Sequence, residues 1–198
     1  DKLDMLHERF IVFELDNIKD HPILFPVVTI IIMEVFISKL RKMKGVRKMI
    51  LIEEAWKALM KEGFAEYIKY LFKTVRKYFG EAVVVTQEVD DIISSPVVKQ
   101  AIINNSDCKI LLDQSKYQNR FDQIQELLGL TEKEKAQVLS LNRANDPNLK
   151  YKEVFISLAG VISKVYRTEV SMEEYLVYTT EEREKFRLRS YMDAQHGD

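Results

Sequence analysis

Two adjacent carboxylates, Glu53 and Glu54, directly follow four apolar residues in the stretch MILIEEAWKAL, Met49 to Leu59. Acids at the end of a buried run are suited to a hard cation. Mg²⁺ keeps most of its waters and takes further oxygens from phosphate, so it needs few protein ligands. Glu53 can hold the water shell of such an ion, and Glu54 can orient or deprotonate an attacking water. The same pair also suits the first turn of a helix, where acids complement the macrodipole. A second polar strand end follows in VVVTQE, which closes on Thr86 and Gln87. An amide at that point can hydrogen-bond a phosphate oxygen or a water; its plainer reading is an ordinary polar strand end. Lys69, Lys73 and Arg76 stand at i, i+4 and i+7 with Lys77 beside them. On a helix these make one basic stripe, either a solvated face or an anion contact.

The elements that must position these residues follow from hydrophobic period. RFIVFEL, Arg9 to Leu15, is β-rich and predicts a strand. Pro22 and Pro26 open a helical run through about Lys42, and Gly45 stops it. KMILIE is a continuous apolar run, the pattern of a strand covered on both faces. Leu59, Phe64, Ile68, Leu71, Phe72 and Val75 keep helical spacing from Ala55 to about Tyr78. Gly80 ends that helix, and AVVVTQ predicts the next buried strand. VDDIISSPVVKQAIINN reads as two short helices broken before Pro96, and CKILLD as a further strand. Strands alternating with helices predict an α/β fold with a mostly parallel sheet and flanking helices. In such a sheet ligands sit at the carboxyl ends of the strands, where Glu53, Glu54 and Gln87 fall.

The later sequence changes character. Residues 116–141 predict a small helical insertion, with Gly129 as a helix stop and Thr131 with Glu134 as a capping box. Asn145-Asp146-Pro147 predicts a turn. KEVFISLAGVISKVYR predicts a C-terminal hairpin turning at Ala159-Gly160, and residues 181–198 a charged tail.

Composition narrows the class. Hydrophobic residues make up 46% and charged residues 31% of 198, which describes a folded domain. A net charge of -1 gives no bulk support for a nucleic-acid partner. The single cysteine, Cys108, excludes a disulfide framework and is expected to be a small buried residue. His7, His21 and His196 have no metal-type spacing. The apolar stretch Pro22 to Ile37 contains Glu34 and predicts a buried helix rather than a membrane span. Trp56 is expected to pack at the start of its helix, and the pairs Tyr67-Tyr70 and Tyr175-Tyr178 to fill core or rim.

Four apolar residues followed by two acids form a Walker B arrangement. Together, MILIEEAW, Arg76-Lys77, Thr86-Gln87, FELD near the start and the late CKILL and LLGLTEKE resemble the C-terminal ATPase half of conjugation ATPases of type IV secretion systems. The resemblance is greatest to the TraG proteins of Bacteroides-type conjugative transposons, and it covers most of the chain. It implies a RecA-like P-loop NTPase fold with ATP and Mg²⁺ as cofactors. It also implies a homo-hexameric ring on the cytoplasmic side of the bacterial inner membrane, contacting other secretion components. Under it Glu53 is the metal residue, Glu54 the catalytic acid, Thr86 and Gln87 contact nucleotide, and Arg76 approaches nucleotide from an adjacent or shared site. Arg120 and Arg167 are weaker candidates for that last role. Glu53 departs from the family's usual Asp, so its longer arm can place the metal differently.

One motif is missing from the sequence. Phosphate cradling needs G-x-x-x-x-G-K-[ST], and no Gly-Lys-Ser/Thr occurs among these residues. The resemblance puts that Walker A loop upstream of the region near Phe10, so the chain is expected to be an excised part lacking it and inactive by itself. Two other functions remain open from sequence. One is a DNA-translocating motor, such as a coupling protein or a HerA/FtsK-like translocase. The other is a non-catalytic interaction domain in which Glu53 and Glu54 merely begin a helix.

Overall fold

The computed structural model describes residues 5–53, 62–87, 96–143 and 151–196. They divide into two compact units, residues 1–106 and 107–198.

The first unit is built as helix, strand, helix, strand, helix. Helix α1, Leu24–Lys42, precedes strand β1, Lys48–Glu53; helix α2, Glu62–Thr74, leads through a 3₁₀ turn, Val75–Tyr78, into strand β2, Gly80–Val85; helix α3, Pro96–Asn105, closes the unit. β1 and β2 pair in parallel without a bulge, from Lys48 opposite Gly80 to Glu53 opposite Val85. A parallel neighbour requires a crossover, and α2 supplies it. The core forms where α1 presents Met33, Phe36, Ile37 and Leu40 to Ile68, Leu71 and Phe72 of α2, with Val75 and Ile102, over Ile50, Ile52, Ala82 and Val84 of the sheet. The α1 stripe recurs every three or four residues, as an amphipathic helix requires. Its other side, including Val27, Ile30 and Ile31, is about half exposed. Among the described residues no helix is long and apolar enough to cross a membrane.

Two small features fix where the strands begin. Lys48 is buried, and its ammonium donates to the carbonyls of Met43 and of Leu40 (3.5 Å), capping the end of α1 with a cation. Gly80 starts β2 where a Cβ would lie 2.6 Å from Leu40 Cδ2 and 2.7 Å from Val75 Cγ2.

The second unit is antiparallel. Strand β3, Cys108–Leu111, pairs with β4, Tyr151–Leu158, and β4 with β5, Ile162–Glu169. Helices α4, Phe121–Leu128, and α5, Glu132–Ser140, form the expected helix pair. Gly129 closes α4 at φ 66°, and Thr131 with Glu134 forms the predicted capping box. The Glu134 carboxylate also accepts from the hydroxyls of Ser157 and Ser163, tying α5 to the hairpin. Helices α6, Met172–Tyr178, and α7, Glu182–His196, end the chain.

Several expectations are corrected. Arg9–Leu15 forms no strand; Phe10 and Val12 are 85% and 70% exposed, and period-two patterning makes a strand only when a neighbour pairs with it. β3, expected in the parallel series, joins the antiparallel sheet. There Cys108 is exposed, because β3 is an edge strand. β1 is covered on one face only: Ile50 and Ile52 point to the core, while Met49 and Leu51 are 58% and 55% exposed. Tyr175 and Tyr178 are exposed rather than packed. Trp56, the first helix of the Val89–Asn105 pair and the turn at Asn145–Pro147 lie outside the described residues.

Candidate functional site

The parallel register of β1 and β2 aligns their carboxyl ends. Glu53 is the last residue of β1 and faces Val85, the last of β2, across an interstrand gap of about 4.8 Å. Thr86 and Gln87 follow immediately, so the amide stands two residues beyond the register partner of Glu53. Thr86 is half-buried; Glu53 and Gln87 are exposed. The alternation that turns Ile50 and Ile52 into the core puts Glu53 on the open face with Met49 and Leu51. Its carboxylate has no hydrogen bond or ion pair to another described residue. An exposed, unpartnered carboxylate is free to hold water around a divalent ion, a task that does not call for a cage of protein ligands. No group of three or more His, Cys, Asp or Glu able to hold a metal occurs among the described residues. Glu54 follows Glu53 directly and lies outside the described residues.

Arg76 is placed elsewhere. It sits in the 3₁₀ turn Val75–Tyr78 that leads into β2, so it lies at the amino end of the strand whose carboxyl end carries Thr86 and Gln87. Six residues of strand span about 20 Å. The chain therefore brings Glu53, Thr86 and Gln87 to one end of the sheet and Arg76 to the other. Arg120 and Arg167 belong to the second unit, where Arg167 pairs with Glu153 (3.5 Å) and covers the Tyr151 ring at 4.5 Å.

A family model described as the TraG P-loop domain matches residues 1–198. This chain belongs to the TraG P-loop domain family. The RecA-like P-loop α/β class read from the sequence is the class of this TraG domain. Its fold is similar to that of a solved structure of VirB4 of Thermoanaerobacter pseudethanolicus, with a TM-score of 0.57 at 22% identity over 83% of this chain. The TraG domain spans 42% of that structure's chain. No curated protein matches the sequence.

Glu53, Thr86 and Gln87 stand out as candidates in the sequence because they follow directly on apolar runs. The sequence did not foretell the packing roles of Lys48 and Gly80, which hold the strands in phase. Lys48 had a signal, a lysine heading an apolar strand just after a helix end, where cations satisfy carbonyls. The tight packing at Gly80 had none, since it depends on Leu40, forty residues away.

Proposed function

We propose that this chain is the part of a conjugation or type IV secretion ATPase that carries the water-activating acids, and that hydrolysis powers conjugative transfer or pilus assembly. Membership of the TraG P-loop domain family supports the class. The observation that carries the reading is the register that puts Glu53 level with Val85, with Thr86 and Gln87 just beyond. Open α/β sheets take ligands at that end of their strands.

In this reading Glu53 holds the water shell of Mg²⁺. Glu54 orients the attacking water and accepts its proton. Thr86 and Gln87 hydrogen-bond the terminal phosphate, so that Gln87 senses whether it is present. Bound with ATP, Mg²⁺ neutralises charge on the phosphates. Because Arg76 lies at the other end of β2, its contribution is to an adjacent subunit's nucleotide, in a homo-hexameric ring. An arginine supplied in that way stabilises charge in the transition state. The ring works on the cytoplasmic side of the bacterial inner membrane, bound to other secretion components.

Glu54→Gln in the intact protein tests this. The proton acceptor is lost while shape is kept, so turnover should fall about 10²- to 10⁴-fold with nucleotide binding retained. Unchanged turnover would leave the acids as ordinary helix-start residues and favour a non-catalytic domain.

A further inference from the structure

The seam between α1 and α2 carries polar bridges that the candidate nucleotide site does not use. Glu34 and Arg41 stand about two turns apart on α1, and Tyr67 and Tyr70 face them from α2. The Tyr67 hydroxyl donates to Glu34 at 2.9 Å, and the Arg41 guanidinium donates to the Tyr70 hydroxyl at 3.0 Å. Burial, then the bond to Glu34, pushes the Tyr67 hydroxyl above its usual range, so it stays a donor. Arg41 is held charged first by Tyr70, and Tyr78 and Glu34 act on it as well. From α1 it thus reaches both the end of α2 and the 3₁₀ turn Val75–Tyr78 that holds Arg76.

Other contacts fix that turn along the line of the chain. Thr74, just before it, donates its hydroxyl to the Tyr70 carbonyl at 2.7 Å. Val75 is buried in the core. Phe79, just after it, donates its amide to the Arg76 carbonyl, and the Phe79 carbonyl accepts from the Lys48 amide, both at 3.2 Å. Arg76 is exposed, and its guanidinium has no hydrogen bond or ion pair to another described residue, so the turn decides where it points. Burial of Leu40, Ile68 and Leu71 already holds α1 to α2. An exposed hydrogen bond adds little to that stability. What Arg41 adds, from the side, is direction.

We propose that Arg41 is a positioning residue: bonded to Tyr70, it sets the orientation of the turn that presents Arg76. Arg76 meets nucleotide only under the ATPase reading, on which this role of Arg41 rests. Orientation matters there, because a misplacement of about 1 Å can cost on the order of 10²-fold in rate.

Steady-state ATP hydrolysis by the intact protein, measured without nucleic acid, tests this role. Arg41→Met and Tyr70→Phe should each lower kcat about 5- to 10-fold and leave KM within about twofold, since neither group touches substrate. Arg41→Lys can still donate to the Tyr70 hydroxyl and should recover most of the rate. A residue that acts through Arg76 has nothing to act on once Arg76 is gone. Arg76→Ala combined with Arg41→Met should therefore be no slower than Arg76→Ala alone. Amide exchange at residues 76–79 should quicken in Arg41→Met while its melting temperature stays the same.

Unchanged kcat in Arg41→Met and Tyr70→Phe overturns the proposal, as does a loss that multiplies with that of Arg76→Ala. Unaltered exchange at residues 76–79 does so too. A fall in kcat matched by a fall in melting temperature makes the bond merely structural and also overturns it. The ATPase reading fails on a different result. Unchanged turnover in Glu54→Gln and in Arg76→Ala removes the site itself, and the role of Arg41 with it. A strong loss in Arg76→Ala beside normal turnover in Arg41→Met sinks the positioning role alone.

Discussion

At the scale of single residues, what matters most is where a polar atom or a missing atom sits. Gly80 is required by crowding rather than by backbone conformation, since a methyl group there would meet Leu40 and Val75 at 2.6 and 2.7 Å. Both neighbours belong to the core and have little room to yield. Gly80→Ala should therefore cost about 1–3 kcal/mol, the usual range for overpacking. Urea unfolding would measure it, and an unchanged midpoint would mean the junction of α1 and β2 is looser than described. The candidate residues Glu53, Thr86 and Gln87 stand out in the sequence because they follow directly on apolar runs. The exposure of Cys108 was not legible: the same four letters, CKIL, describe a central strand or an edge strand, and only the pairing partner decides.

At the scale of elements, Glu134 joins two pieces of structure. As the third residue of α5 it accepts from the Thr131 amide at 2.8 Å and the Thr131 hydroxyl at 2.9 Å, while Ser157 and Ser163 donate from the hairpin. Burial pushes its carboxyl up, but the bonds from Ser163, Thr131 and Ser157 outweigh that and hold it below the usual glutamate range. A carboxyl lowered on folding adds stability that is complete above its unfolded value and disappears as pH falls through the folded one. Acid titration of unfolding free energy should show this loss in the natural protein. Glu134→Gln, which still fits a capping box, should flatten that component. Glu134→Ala strands the Thr131 amide and the two serine hydroxyls and should cost about 1–3 kcal/mol at neutral pH. Equal acid sensitivity in the natural protein and the Gln variant would remove Glu134 from this role. The capping box, the Gly129 stop and the hairpin were all readable in advance, since each depends on neighbours within a few positions. Arg9–Leu15 was misread because a strand needs a partner that local sequence does not reveal.

At the scale of the whole chain, the alternation of strand and helix gave away the α/β class, yet it could not reveal that β3 leaves the parallel series for an antiparallel sheet. That choice depends on the hairpin forty residues later. The sequence also holds no Gly-Lys-Ser/Thr loop. Calorimetric titration of the isolated chain with Mg-ATP should accordingly give weak binding, and its turnover should be undetectable. Tight binding would contradict a site whose phosphate cradle lies outside these residues. The unbroken pairing of β1 with β2 carries one more consequence. Lys48 and Gly80 anchor the amino ends, and at the sixth matched pair Glu53 leaves the sheet on the open side. Side chains on a strand change sides at every residue. Parity is thus built in. An insertion of one residue would bury the carboxylate in the core, whereas a lengthening by two would keep its side and move it outward by about 7 Å.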